Sequence, residues 1–399
     1  MMIKNVVLLS TADWENPFWT NKQHVAVELA KQGINVFYID SLGLRAPSAS
    51  RSDFKRISNR LKKSFSGPKH RRNNIWVWSP IILPWHKYGI VRFLNKIYIK
   101  SFLYHYLTKL KIKPSETVFW TYNPITTRLV DLRGFQHVIY HCVDEIKEQP
   151  GMPTDVIEKA EKDLLQNANI VFATSKKLYE TRKDICKEIH YHSNVSDYNH
   201  FNTALTTEFD IPSDLAGISG PKLGFIGAIS NYKIDFNLLK YIAENRPEYK
   251  IILIGEVGEG EPGTNVDELR KYKNIYFLGP KNYLQLPTYL SFMNVALLPN
   301  NINSYTDNMF PMKFFEYLSA GRKVVSVNLK SLYDFRDYCS LSETYQDFVD
   351  NIDKLISGDV ISLEKRLSLA REYTYETRTK KMIEIINENL NKNNLSRYV

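Results

Sequence analysis

Short apolar runs alternate along nearly the whole chain with segments whose apolar residues recur at helical spacing. In the first half, Val6–Leu9, Val36–Ile39, Val118–Thr121, Val138–His141 and Ile170–Thr174 have the length and β-branched content of buried strands. Lys22–Gln32, Ile90–Leu110 and Asp155–Asn167 carry the helical period between them. The polar stretch His192–Phe201 then breaks the rhythm, and the less ordered 202–220 follows. Strand patterns resume at Lys222–Ile226, Ile251–Ile254, Ile275–Leu278, Val295–Leu298 and Val324–Val327, with helical ones at Phe236–Asn245, Leu286–Phe292 and Met312–Ala320. The chain ends in two more helical segments, Glu364–Glu372 and Tyr375–Asn389. Continuous apolar strands separated by helices predict mostly parallel sheets covered on both faces. The break predicts two doubly wound, Rossmann-like α/β domains, 1–200 and 221–365, with a linker over 201–220, a cleft between the domains and a terminal helix over 366–399.

Bulk properties narrow this picture. At 399 residues the chain exceeds one ordinary core and suits two domains. The cysteines Cys142, Cys186 and Cys339 are far apart and form no C-x-x-C, which argues against a disulfide framework or zinc site and suggests a reducing compartment. Val6–Leu9 reads as a first strand rather than a signal peptide, and no apolar run approaches the roughly 18–20 residues that span a bilayer. The expected location is the cytoplasm. The net charge of +10 is concentrated. Arg45, Arg51, Lys55, Arg56, Arg60, Lys62, Lys63, Lys69, Arg71 and Arg72 stand against Asp53 alone, followed by Trp76, Trp78, Trp85 and Tyr88 and then Arg92, Lys96 and Lys100. Cations beside tryptophans suit the anionic inner face of a membrane. Nucleic acid would accept the same charge, but no nucleic-acid module is legible around it.

The densest chemistry lies in Asp307-Asn308-Met309-Phe310-Pro311-Met312-Lys313-Phe314-Phe315-Glu316-Tyr317-Leu318-Ser319-Ala320-Gly321, ahead of the apolar run Val324–Val327. Pro311 suits the first helical position and Gly321 can close the helix end. Lys313 and Glu316, three apart, share one face. A positive helix N-terminus with a lysine beside it and a carboxylate one turn in suits a nucleoside diphosphate, the cations on phosphate and the carboxylate on ribose. A glycine turn at Gly227, after the strand Lys222–Ile226, would let backbone approach a phosphate.

The pattern P-x-K-x-x-E-Y-x-x-x-G resembles the donor-nucleotide motif of GT-B glycosyltransferases, and Pro311-Met312-Lys313 is closest to bacterial polysaccharide enzymes of the glucuronosyltransferase and teichuronic-acid type. The order Gly227 turn, Ile251–Gly255, Asn274–Gly279, Leu286–Tyr289 and motif is similar to that family's nucleotide domain. Asn21–His24, Tyr140–Asp144 and Thr174–Tyr179 look like its stations in the first half, so the resemblance covers most of the chain. It implies an acceptor-binding first domain, a nucleotide-sugar-binding second domain and a terminal helix returning to the first. The donor, most often a UDP-sugar, would meet Gly227, Met312, Lys313 and Glu316, with Tyr283 near the base and Asn308 in the preceding loop. Asp144 matches an acidic station and is the candidate general base, with Asp13, Glu15 and His24 as alternatives. Retaining members carry a second glutamate where this chain has Asn308, a departure that favours inversion.

No Asp-x-Asp or histidine cluster with metal spacing occurs, so neither metal nor other cofactor is expected. The implied activity is sugar transfer to a lipid-linked or polysaccharide acceptor during capsule or exopolysaccharide assembly. A sugar-nucleotide epimerase of the same architecture and a non-catalytic nucleotide-sugar- or polysaccharide-binding subunit are the alternatives.

Overall fold

A computed structural model describes residues 2–16, 19–42, 67–83, 88–358 and 360–395. The expected membrane-facing cations Arg45, Arg51, Lys55, Arg56, Arg60, Lys62 and Lys63, together with Trp85, lie outside the described residues. The chain divides into two compact units, Met1–His192 with Tyr375–Val399 (unit 1) and Ser193–Thr374 (unit 2).

Unit 1 holds eight strands among the described residues: β1 (Asn5–Leu9), β2 (Asn35–Ile39), β3 (Lys69–His70), β4 (Ile75–Trp78), β5 (Thr117–Thr121), β6 (His137–Cys142), β7 (Ile170–Ala173) and β8 (Ile189–Tyr191). They form one sheet in the order β3-β4-β2-β1-β5-β6-β7-β8. All pairs are parallel except β3 with β4. Helices α1 (Asn21–Lys31), α2 (Gly89–Lys109), α3 (Thr154–Asn167) and α4 (Lys176–Arg182) connect them. The two faces bury separate apolar clusters, Val6, Leu8, Val36 and Trp120 on one and Val7, Leu9, Phe37 and Phe119 on the other. Strands so enclosed read as unbroken apolar runs because neither face meets water. The C-terminal helix Tyr375–Leu395 belongs to this unit and sets Met382, Ile386 and Leu390 into the first cluster, as the expected returning helix does.

One expectation fails here. Trp76 and Trp78 do not form a membrane-facing aromatic run: they lie on β4, in parallel register with Phe37 and Ile39 of β2. Trp78 is fully buried, with its ring 6.2 Å from Phe37 and 5.6 Å from Tyr106 of α2. Its indole fills space between the sheet and α2, which is a core role.

Unit 2 is a six-stranded, wholly parallel sheet in the order β11-β10-β9-β12-β13-β14. Its strands are β9 (Lys222–Ile226), β10 (Lys250–Ile254), β11 (Ile275–Phe277), β12 (Val295–Leu298), β13 (Lys323–Val327) and β14 (Ser340–Ser342). The main helices are α5 (Tyr198–Thr206), α6 (Phe236–Asn245), α7 (Leu286–Ser291), α8 (Met312–Ser319), α9 (Tyr345–Ser357) and α10 (Leu363–Glu372).

The unit boundaries differ from the sequence expectation. The chain enters unit 2 at Ser193, ahead of the expected 201–220 linker, and leaves it at Thr374 rather than 365. The polar stretch conceals α5, whose N-cap Asp197 accepts a hydrogen bond from the His200 amide. Phe201 and Ala204 bury its one apolar face, a stripe too narrow to stand out in the sequence.

Candidate functional site

In unit 2 the sheet order reverses between β9 and β12, the place where open α/β sheets bind ligands at the strands' carboxyl ends. Helix α8 feeds β13, a parallel neighbour of β12, so its N-terminus lies on that carboxyl side. Pro311 is its N-cap, one position earlier than expected, and Gly321 closes the other end at a φ of 67°. The Tyr317 hydroxyl accepts a hydrogen bond from the Ile226 amide at 2.9 Å, fixing α8 against the end of β9.

Gly227 follows directly. Its amide donates to Ile254 O at 2.9 Å, and the Gly255 amide donates to Gly279 O at 3.1 Å. Glycine is required at 255, where a Cβ would stand 1.8 Å from Gly227 O. Three glycine turns thus lie side by side after β9, β10 and β11. Beside them on α8, Lys313 Nζ bonds Glu316 Oε2 at 2.7 Å, with the Lys313 side chain 24% exposed and that of Glu316 6%. Met312 opens the helix, half-buried. Asn308 caps the short helix Ser304–Asp307 and donates its side-chain amide to Ser304 O at 2.6 Å. Tyr283 stacks on His200 of α5 at 4.3 Å and 18°, so one ring face is already covered.

The polar stretch 192–201 and the residue after it also brace α8. Asn194 Nδ2 donates to Phe310 O at 2.7 Å, the Ser196 and Ser319 hydroxyls bond at 2.7 Å, and Asn202 Nδ2 donates to Ser319 O at 3.2 Å. Among the described residues no group of three or more His, Cys, Asp or Glu side chains is arranged to hold a metal ion.

In unit 1, Asp144 lies half-buried just after β6, with its carbonyl accepting from the Ile146 amide at 3.0 Å. The next residue, Glu145, is committed elsewhere: Arg182 Nη2 donates to it at 2.9 Å and to Glu161 at 3.1 Å, a buried network that anchors the loop. Asp13 and His24 flank the start of α1. Asp13 O accepts from Gln23 Nε2 at 3.0 Å, and the His24 ring stacks on Tyr375 at 4.1 Å and 9°. Glu15 is exposed and pairs with Arg71.

Near the end of β6 the structure brings together cations from distant segments. Lys22 on α1 and Arg378 on the C-terminal helix are both buried, and Arg378 Nη2 donates to Asn21 Oδ1 at 2.7 Å. Burial pushes the Lys22 ammonium below its ordinary pKa, and the Asp144 carboxylate opposes that shift. Burial, then the charges of Arg378 and Lys22, hold the His141 imidazole well below its ordinary value. His141 Nδ1 faces the Tyr122 hydroxyl at 3.1 Å.

No protein-family model matches the chain. It is 26% identical over 288 residues, 66% of its own length and 70% of the relative's, to the protein named as a teichuronic acid biosynthesis glycosyltransferase, TuaH, of Bacillus subtilis (strain 168). The chain has the fold of the GT-B glycosyltransferases. Sucrose-phosphate synthase from Thermosynechococcus elongatus shares that fold at a TM-score of 0.68, with 14% identity over 96% of this chain and 98% of that one. Anabaena HepE, solved with UDP and glucose, does so at 0.64, with 12% identity over 96% of this chain and 100% of its own.

Among the GT-B residues of this chain, sequence reasoning assigned no role to Lys22, His141, His200, Asn194 or Arg378. Lys22 and His141 stand inside quoted family stations, and that signal was available. Arg378 had none, because it reaches Asn21 only after the chain has passed through unit 2.

Proposed function

We propose that this glycosyltransferase moves a sugar from a UDP donor to a lipid-linked or polysaccharide acceptor in cell-surface polysaccharide assembly, working at the cytoplasmic face of the membrane. The observation that carries the reading is the Lys313–Glu316 pair on α8, set beside three glycine turns at the sheet's reversal point. Lys313 and the α8 N-terminus meet the diphosphate, Glu316 takes the ribose hydroxyls, and the Gly227 turn admits backbone to the phosphates. Met312, Asn308 and Tyr283 border the same ligand.

Asp144 removes the proton from the acceptor hydroxyl as its oxygen attacks the anomeric carbon. The bond from that carbon to the diphosphate oxygen breaks, and UDP leaves with its charge met by Lys313. One displacement of this kind inverts the anomeric centre, a course favoured by Asn308 standing where retaining relatives place a glutamate. Neutralisation by Lys313 needs no metal, so EDTA leaves turnover unchanged. The resemblance of the chain to TuaH, and HepE's complex with UDP and glucose, support the choice of donor and pathway.

Calorimetric titration of UDP-, GDP- and dTDP-sugars tests the donor: UDP-sugars bind, and Lys313→Ala weakens them. If wild-type and Lys313→Ala bind alike and neither turns donor over, the chain is a binding subunit. Proton NMR of the product's anomeric centre decides inversion.

A further inference from the structure

Helix α2 has two apolar faces, and only one has a partner within the chain. Asn95, Ile99, Leu103 and Leu107, spaced by four, face the sheet and are buried. Asn95 also clamps the preceding segment, accepting from the Leu83 amide at 2.9 Å and donating to its carbonyl at 2.8 Å. Ile90, Phe93, Leu94 and Ile97 follow the i, i+3, i+4, i+7 pattern on the opposite side, where they are 65%, 60%, 48% and 48% exposed. Four large apolar side chains on one open face exceed the scattered exposure of an ordinary surface.

The charges say what covers this face. Over its 21 residues α2 carries Arg92, Lys96, Lys100 and Lys109 and no acidic residue. In sequence it follows 45–63, where seven Lys and Arg stand against Asp53 alone. Among the described residues no helix is long and apolar enough to cross a membrane. A helix with one buried face, one exposed apolar face and no charged residue other than cations fits the plane of an anionic lipid surface.

We infer that α2 docks this glycosyltransferase on anionic bilayers, inserting Ile90, Phe93, Leu94 and Ile97 between headgroups while Arg92 and Lys96 meet lipid phosphates, Lys100 being paired with Asp131 at 3.3 Å. This deepens, and rests on, the proposal of a membrane-bound acceptor. It replaces the tryptophans of β4 with α2 as the inserting element.

The test is co-sedimentation of the full chain with vesicles of phosphatidylcholine, with and without phosphatidylglycerol, alongside light scattering and donor turnover. Wild-type protein is monomeric and binds the anionic vesicles, and its binding falls as salt rises. Phe93→Asp/Ile97→Asp lowers binding at least about tenfold, and Arg92→Gln/Lys96→Gln keeps binding but flattens the salt dependence. Both variants keep wild-type melting temperature and wild-type donor hydrolysis. Unchanged vesicle binding by Phe93→Asp/Ile97→Asp overturns the inference. So does a wild-type dimer that this variant disperses, which would make the face a contact between two copies. Normal vesicle behaviour without turnover of any donor would leave the docking intact and sink the transferase reading instead.

Discussion

The starts of α8 in unit 2 and α1 in unit 1 are both helix N-termini on the carboxyl side of a parallel sheet, yet they handle charge differently. At α8, Lys313 and Glu316 bond each other, so the pair is balanced, with only the lysine partly open to solvent. At α1, the buried Lys22 and Arg378 gather with Asp144 as the one acid that acts on Lys22, and His141 is held neutral beside them. A site for an anionic leaving group can rest neutral, because incoming phosphates simply replace one carboxylate as the partner of the lysine. The proposed base, by contrast, has its carboxylate set against a buried ammonium, that of Lys22.

The sharpest way to break this contrast is to remove each end's key group and ask which kinetic constant moves. Asp144→Asn is expected to lower turnover about 10²–10⁴-fold, the usual worth of a general base. Donor affinity measured by calorimetry should stay unchanged, because the proposed donor contacts are residues of unit 2. If affinity fell with turnover, Asp144 would be a binding group. Lys313→Ala should do the reverse and weaken donor binding roughly 30–100-fold, the loss of a charge-assisted hydrogen bond worth about 2–3 kcal/mol. Its melting temperature without donor should stay near wild type, since Lys313 bonds only the side chain of Glu316 one turn away.

Acid should separate the two units next. His192, at the end of unit 1, is pushed down to about 4 by burial, then by the charge of Arg378. An unfolded histidine titrates near 6.5. Below that value the unfolded chain binds a proton the folded one refuses, so stability is full above about pH 6.5 and falls as pH drops toward 4. With His141 shifted the same way, unit 1 loses stability first. Hydrogen exchange of β6 and β8 amides, corrected for intrinsic rate, should show on the order of 1–2 kcal/mol less protection at pH 5 than at pH 7. His192→Asn should flatten that slope. An equal loss in β9 and β10 would point to a cause outside unit 1.

The same contrast explains what the sequence revealed. Ten of the strands and the ends of α8 were legible, because doubly buried strands are continuous apolar runs and because Pro311 and Gly321 mark a helix locally, whereas β3, β4, β8 and β14 were not. The α8 chemistry was legible for the same reason, since Lys313, Glu316 and the glycine turns are short-range signals. Strand β4 was misread because Trp76 and Trp78 follow a run of cations, and charge nearby says nothing about which side of a sheet an indole faces. Helix α5 hid in polar residues because its N-cap and its bonds to α8 lie in side chains, not in apolar period. In unit 1 the group around Lys22 had a local signal only at Lys22 and His141, and neither was given a role. Arg378 joins it from the far end of the chain.

The smallest expected effect tests whether unit 2's balanced end depends on the backbone that carries it. Pairing of β12 with β9 stops at Gly224, so the amide of Ile226, two residues on, meets the hydroxyl of Tyr317 in place of a strand carbonyl. That hydroxyl is fully buried, and burial raises its pKa far above the ordinary phenol range, so it stays protonated and neutral at every working pH. Tyr317→Phe keeps the ring packing and removes both this bond and the hydroxyl's 3.5 Å donation to Ile226 O, at a cost of about 1–3 kcal/mol because the buried amide loses its acceptor. A drop of a few degrees in melting temperature is expected, with donor affinity reduced about two- to fivefold, because Ile226 leads directly into the Gly227 turn. A fall in melting temperature with donor affinity untouched would mean that the Gly227 turn holds its shape through Ile254 O and Gly255 alone.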